Sequence, residues 1–294
     1  MTFSDPAHLG DALASVGYLP DEGLSTAAYL AMSMGRPLFL EGDAGVGKTR
    51  LASALAQVLG SYFVRLQCYE GIERSQALYD WDFPRQILSL RAAEVSSRAG
   101  AESDGTRSGF REESLYSRKF LLARPVLQAL ERSPSVLLID EIDRADEEFE
   151  AFLLETLSDN TVSIPELGTI KADSPPLVVL TSNRTRDVHD ALKRRCLYHW
   201  VSHPTLEREV EILRSRLPDI TERLAQEVAD ATAKMRGQGL VKPPGVAESI
   251  DWARALHILG ARSLDRAQAL RTLGAVVKYR EDADHVRATV LAGL

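Results

Sequence analysis

The chain has 294 residues, 45% hydrophobic and 26% charged, with a formal net charge of −7. This balance belongs to a folded, water-soluble protein of one large domain or two ordinary ones, and it excludes disordered and fibrous classes. No apolar run is long enough to span a membrane, no basic-then-apolar leader opens the chain, and the two cysteines, Cys68 and Cys196, are too isolated for a disulfide framework or a zinc site, so the expected setting is cytoplasmic.

Residues 7–16 and 22–35 carry helical spacing on either side of Gly17-Tyr18-Leu19-Pro20. Leu38, Phe39 and Leu40 then read as a buried strand. It breaks at Gly42-Asp43-Ala44-Gly45-Val46-Gly47-Lys48-Thr49, which runs through Arg50 into helical spacing up to Leu59. Strand, glycine-rich loop and helix form the setting of a phosphate-binding loop. The glycines let successive N–H groups point inward, and the helix start adds partial positive charge. Lys48 is placed to meet β- and γ-phosphates, and the Thr49 hydroxyl to hold Mg²⁺.

Residues 61–66 read as a second strand by β-propensity. The stretch 67–88 is aromatic and acidic, with a weak helical pattern. Trp81 and Phe83 in it read as packing residues, because only Arg85 among basic residues interleaves them. Residues 85–99 look helical, and 100–113 read as a surface loop. A helix is expected over 117–131, with Arg124-Pro125 as a break or a restart.

Ser135 to Glu141 is an apolar strand ending in two acids, about ninety residues after the loop. One carboxylate, Asp140, suits a hydrated Mg²⁺, and the next, Glu141, suits polarising an attacking water. A helix over 146–157, a hairpin over 161–172 and a strand over 176–181 follow. Asn183, just past that strand, is either a water-orienting amide or an ordinary turn residue. A short helix over 188–194 carries Arg194 and Arg195 at its end, before a last strand over 196–201. That pair is either a γ-phosphate cation for a neighbouring subunit or a basic helix terminus. From residue 204 helical spacing dominates. Residues 204–294 hold 14 Lys and Arg against 13 Asp and Glu, so this part is no basic module, and composition argues against nucleic acid.

Taken together, these motifs resemble the AAA+ ATPases. The loop at 42–49 looks like Walker A, Leu138-Ile139-Asp140-Glu141 like Walker B, Thr181-Ser182-Asn183 like sensor 1, and Leu192-Lys193-Arg194-Arg195 like the arginine-finger segment. The stretch 67–88 and the hairpin 161–172 fall where MoxR-type members carry a helix-2 insert and a pre-sensor-1 hairpin. The phrases at 138–146, 162–170 and 181–186 look closest to the carbon monoxide dehydrogenase D-type branch. The resemblance implies an α/β P-loop αβα sandwich with a parallel sheet over 1–203 and an all-helical lid over 204–294. It also implies ATP and Mg²⁺, a homo-oligomer, usually a hexameric ring, a von Willebrand factor A domain partner and a metalloenzyme client such as a molybdenum hydroxylase. A nucleotide-gated scaffold with little turnover, or a nucleic-acid translocase, are the alternatives. One departure stands out. The position where AAA+ lids carry a sensor-2 arginine lacks one, and Lys242 or Arg254 are the candidates to replace it.

Overall fold

A computed structural model describes residues 3–99 and 115–293. The surface loop expected over 100–113 lies outside the described residues.

Local chemistry sets the first elements. Asp5 caps α1 (Pro6–Ser15) by accepting from the His8 N–H, and Asp21 caps α2 (Glu22–Met34) by accepting from Leu24. Gly35, at φ 61°, closes α2. β1 (Leu38–Gly42), α3 (Lys48–Leu59) and β2 (Tyr62–Gln67) follow.

The next region departs from expectation. After α4 (Arg74–Ala77), a short strand β3 (Tyr79–Trp81) precedes α5 (Phe83–Ala99). β3 pairs antiparallel with β4 (Leu121–Ala123), and α6 (Pro125–Glu131) begins only after it. The helix expected over 117–131 is therefore a strand and a restarted helix. Pro125 sits in the first turn of α6, and the residue before it, Arg124, is extended at φ −90°, ψ 172°. Trp81 does pack, edge-on against Tyr116 at 5.3 Å. Phe83 does not, being 54% exposed.

β5 (Ser135–Asp140) is buried along its whole length, as a parallel strand covered on both faces should be. It ends one residue earlier than its apolar run suggests, because Glu141 adopts a left-handed φ of 56°. α7 (Glu147–Asp159), the hairpin β6 (Thr161–Ile164) and β7 (Gly168–Lys171), β8 (Leu177–Ser182), α8 (Asp190–Arg195) and β9 (Leu197–Val201) complete this part. The sheet order is β2-β5-β8-β1-β9, every neighbour parallel. Parallel pairing brings the ends of β1, β5 and β8 to one rim, the carboxyl edge where ligands bind in such sheets.

Alternation along the strands divides the core. Phe39, Leu137, Ile139 and Leu180 face α6 and α7, while Leu38, Leu40, Leu138 and Val179 face α1, α2 and α3. A third cluster draws its buried residues from Val210 to Leu291, on α9 (Leu206–Arg216), α10 (Glu222–Arg236), α11 (Val246–Ile258), α12 (Arg266–Val276) and α13 (Arg280–Ala288) and on the segments that link and follow them. Trp252, fully buried there, donates from its indole N–H to Thr272 at 2.8 Å.

One ion pair ties these helices to one another. Arg236 grips Glu209 with two hydrogen bonds of 2.6 and 2.7 Å, and also donates to the Pro244 carbonyl at 2.7 Å. The Glu209 side chain is 1% exposed. Glu209→Ala would leave a guanidinium buried without its partner, so it is expected to cost about 3–5 kcal/mol. The check is a lower midpoint of denaturant unfolding at unchanged slope. A loss under about 1 kcal/mol would mean that the pair behaves as a surface bridge.

Candidate active site

β1 delivers the chain to the rim, and the turn that follows needs its glycines. Gly42 has φ 156°, and a Cβ there would stand 2.3 Å from the Val201 carbonyl oxygen of β9. Gly45 and Gly47 lie at φ 79° and 96°, a region side chains disfavour. Gly47 caps α3 without a side-chain bond, which leaves the first N–H groups of α3 free to meet an anion.

Lys48 begins α3 and is only 5% exposed. Its ammonium donates to the carbonyls of Gly42 and Asp43, both at 2.7 Å, and to Asn183 Oδ1 at 2.9 Å. Burial lowers its pKa, against the raising pull of Asp43, Asp143, Asp140 and Glu141. The charge is thus held and surrounded by acids.

Asp140 sits at the end of β5. It accepts from Thr49 at 2.9 Å, from Thr181 at 2.5 Å and from Arg65 at 2.6 Å. Glu141 turns outward through its left-handed backbone, pinned by its N–H to Thr181 Oγ1 at 3.0 Å. Its carboxylate meets Arg144 at 2.8 Å, Gln67 at 3.1 Å and Asn183 at 3.5 Å. Arg65, Gln67, Arg144 and Thr181 were not singled out from the sequence as contacts of these acids.

A cavity of about 450 Å³ opens over this group. The loop residues Ala44 to Arg50, Asp140, Glu141 and Asn183 line it together. Gly42 and Asp43 do not line it, and the Asp43 carboxylate lies 3.5 Å from His203 Nε2. Burial lowers the His203 pKa, and Arg236 adds to that. The opposite wall comes from distant segments. Tyr18 and Leu19 supply one side, and Ile212, Val246 and Ile250 the other.

Neither Lys242 nor Arg254 lines the cavity. The cation that the helical part presents there is Arg216, at the end of α9. The reason is the seat of α11. Its start presses onto the phosphate loop, with the Ala247 N–H donating to the Gly45 carbonyl at 3.2 Å. Lys242 lies back from this seam, its backbone N–H bonded to Asp282. Arg194 and Arg195 do not line the cavity either. Both are exposed at the end of α8, and Arg195 donates to the Leu154 carbonyl at 3.4 Å.

The donor set fits a magnesium nucleotide. A buried ammonium and free helix N–H groups suit phosphates. The Thr49 hydroxyl and Asp140 carboxylate are adjacent hard oxygen donors. Among the described residues no group of three or more His, Cys, Asp or Glu is placed to hold a metal ion. The apolar wall around Tyr18 and Ile250 suits a flat base.

Residues 37–196 match the family described as AAA domain, dynein-related subfamily. The chain belongs to this family. Solved structures with a similar course include an alanine-to-serine mutant of Thermotoga maritima RuvB, at 17% identity and TM-score 0.49 over 89% of this chain and 70% of that one. The T. maritima RuvB Holliday junction branch migration motor is similar at 16% identity and TM-score 0.46, over 90% and 68%. Neither likeness bears on substrate. Among curated proteins none matches. As an AAA protein the chain carries the P-loop fold with a helical C-terminal region, and among the described residues no helix is long and apolar enough to cross a membrane.

Proposed function

We propose that this AAA protein is an ATPase of the MoxR type that works as a remodelling chaperone. The observation that carries the reading is the convergence of Lys48, Thr49, Asp140, Glu141 and Asn183 on one cavity. In this reading residues 1–203 are the nucleotide-binding core and 204–294 the lid. Lys48 and the loop N–H groups hold the phosphates, and Thr49 and Asp140 hold Mg²⁺. The bound metal would supply charge neutralisation at the phosphates. Glu141 takes a proton from the attacking water, and Asn183 orients that water. Arg216 stands where the lid meets the nucleotide.

Arg194 and Arg195 are exposed and do not line their own cavity, so we assign them to the site of a neighbouring copy in a ring, as a hexamer would allow. The client proposed is a metalloenzyme, reached through a partner with a von Willebrand factor A domain. The insert at 67–88 and the hairpin at 161–172 are the surfaces offered to it. The hairpin carries Lys171 and Glu166, too little positive charge to grip nucleic acid.

A second reading has its own support. Arg65 covers Asp140 and Arg144 covers Glu141. A scaffold that binds nucleotide and seldom hydrolyses it would keep its acids paired in this way. The deciding measurement is ATP turnover per subunit against protein concentration. Wild type is expected to rise steeply, Arg195→Ala to stay near zero, and an equimolar mixture of Arg195→Ala with Lys48→Ala to recover in part. A flat rate with active Arg195→Ala would overturn the shared site. No turnover at any concentration, with or without the partner, would favour the scaffold.

A further inference from the structure

α8 is six residues long, too short to hold its shape through its own hydrogen bonds. Its hold is tertiary. Leu192 is 2% exposed and packs into the core beside α7. At the start of the helix, the His189 N–H donates to Glu150 at 2.8 Å. The other end, where Arg194 and Arg195 stand, has carbonyls that no residue within the helix can satisfy.

Arg36 satisfies them. It lies in the link between α2 and β1, next to Pro37, whose carbonyl accepts from Leu197 at the start of β9. The Arg36 Nε donates to the Arg195 carbonyl at 3.1 Å. One terminal nitrogen donates to the Arg194 carbonyl at 2.6 Å and to the Cys196 carbonyl at 3.2 Å. One guanidinium therefore spans three consecutive carbonyls. Its planar fork of donors makes this possible, whereas a lysine ammonium on a flexible stem cannot span the same fan with fixed geometry. The positive charge also meets the negative end of the helix. The contact thus sets where the backbone of both arginines ends.

We propose that Arg36 is a positioning residue, which fixes the end of α8 so that Arg194 and Arg195 reach the nucleotide of a neighbouring copy. This rests on the reading of those arginines as acting between subunits. Misplacing a charge by about 1 Å in such a site costs on the order of 100-fold in rate. A wrongly seated finger therefore resembles a missing one, while the subunit's own site stays whole.

The test uses Arg36→Gln in the full chain, with Arg195→Ala beside it. Arg36→Gln is expected to bind a fluorescent ADP analogue within about twofold of wild type, since Arg36 is remote from the loop, and to lose turnover by about 10- to 100-fold. Amide hydrogen exchange over residues 190–196 should quicken. The discriminating arm mixes Arg36→Gln with Lys48→Ala. The first contributes a sound site and the second a sound finger, so turnover should recover in part. Wild-type turnover in Arg36→Gln, with Arg195→Ala inactive, would overturn the inference alone. Lost turnover without recovery on mixing would also overturn it, by placing the effect inside the variant's own site. An active Arg195→Ala would instead overturn the reading beneath it. If Arg36→Gln does not fold, the same measurements on Arg36→Lys decide, with a weaker seat and partial loss as the expected result.

Discussion

Glu141→Gln is expected to bind nucleotide with nearly wild-type affinity and to turn it over at least about 100-fold more slowly, the usual contribution of a positioned general base. The geometry supports a clean separation. Glutamine keeps the length of the side chain and one oxygen, which can still accept from Gln67 at 3.1 Å, while the Asn183 contact to the other oxygen is already long at 3.5 Å. The left-handed backbone, held by Thr181, does not involve the carboxylate. What is lost is the negative charge and the ability to take a proton. The Arg144 contact at 2.8 Å also weakens, but it is half exposed and contributes little to stability. Single-turnover hydrolysis with radiolabelled ATP, alongside equilibrium binding, reads both quantities. A wild-type rate would remove Glu141 from the role of base.

Lys48→Ala should act at the other step. Its ammonium is the one charged donor built into the loop itself, and hydrogen bonds from a charged group contribute roughly 1.5–3 kcal/mol each. Loss of the side chain is therefore expected to weaken ATP binding by about 10- to 150-fold, readable by calorimetric titration in the presence of Mg²⁺. The fold should tolerate the change. Lys48 is held in a buried site at a cost visible in its lowered pKa, and it borders the cavity, so the space its side chain leaves is open to water. Unchanged affinity would mean that the phosphates lie elsewhere.

These two residues were legible from the sequence because each belongs to a contiguous pattern. The spacing from Gly42 to Thr49 states a strand, a turn and a helix start within a few residues. The run from Ser135 to Glu141 states a buried strand with acids at its rim. The parallel sheet, too, follows from apolar runs separated by helical spacing. The β3–β4 ribbon was hidden for the opposite reason. Each strand has three residues, too few for alternation to show, and the partners are about forty residues apart. The wall of the cavity shares that obscurity. Tyr18, Ile212, Val246 and Ile250 look like any core residues until the fold turns them toward the loop. Arg36 and Arg65 are single arginines without a motif, and their contacts depend on which strands adjoin. Neither sensor-2 candidate lines the cavity, for a related reason. A search for a cation near the start of the third lid helix leads to Lys242 or Arg254, whereas the fold brings the end of the first, with Arg216, to the site.

The seat of α11 on the phosphate loop joins backbone to backbone. A Cβ on Gly245 would stand 2.7 Å from the Ala44 carbonyl oxygen and 2.8 Å from the Gly45 Cα. Two bare peptide edges thus meet with the Glu248 carboxylate beside them, accepting from the Gly245 N–H at 3.0 Å, and a seam of this kind has little slack. The Gly45 carbonyl of the loop is thereby bonded to the first turn of α11, and Arg236, which reaches Pro244 and Ser249 on that side and Glu209 on the other, carries the contact on to the helices behind it. The phosphate loop and the helical part are therefore joined by one unbroken run of contacts.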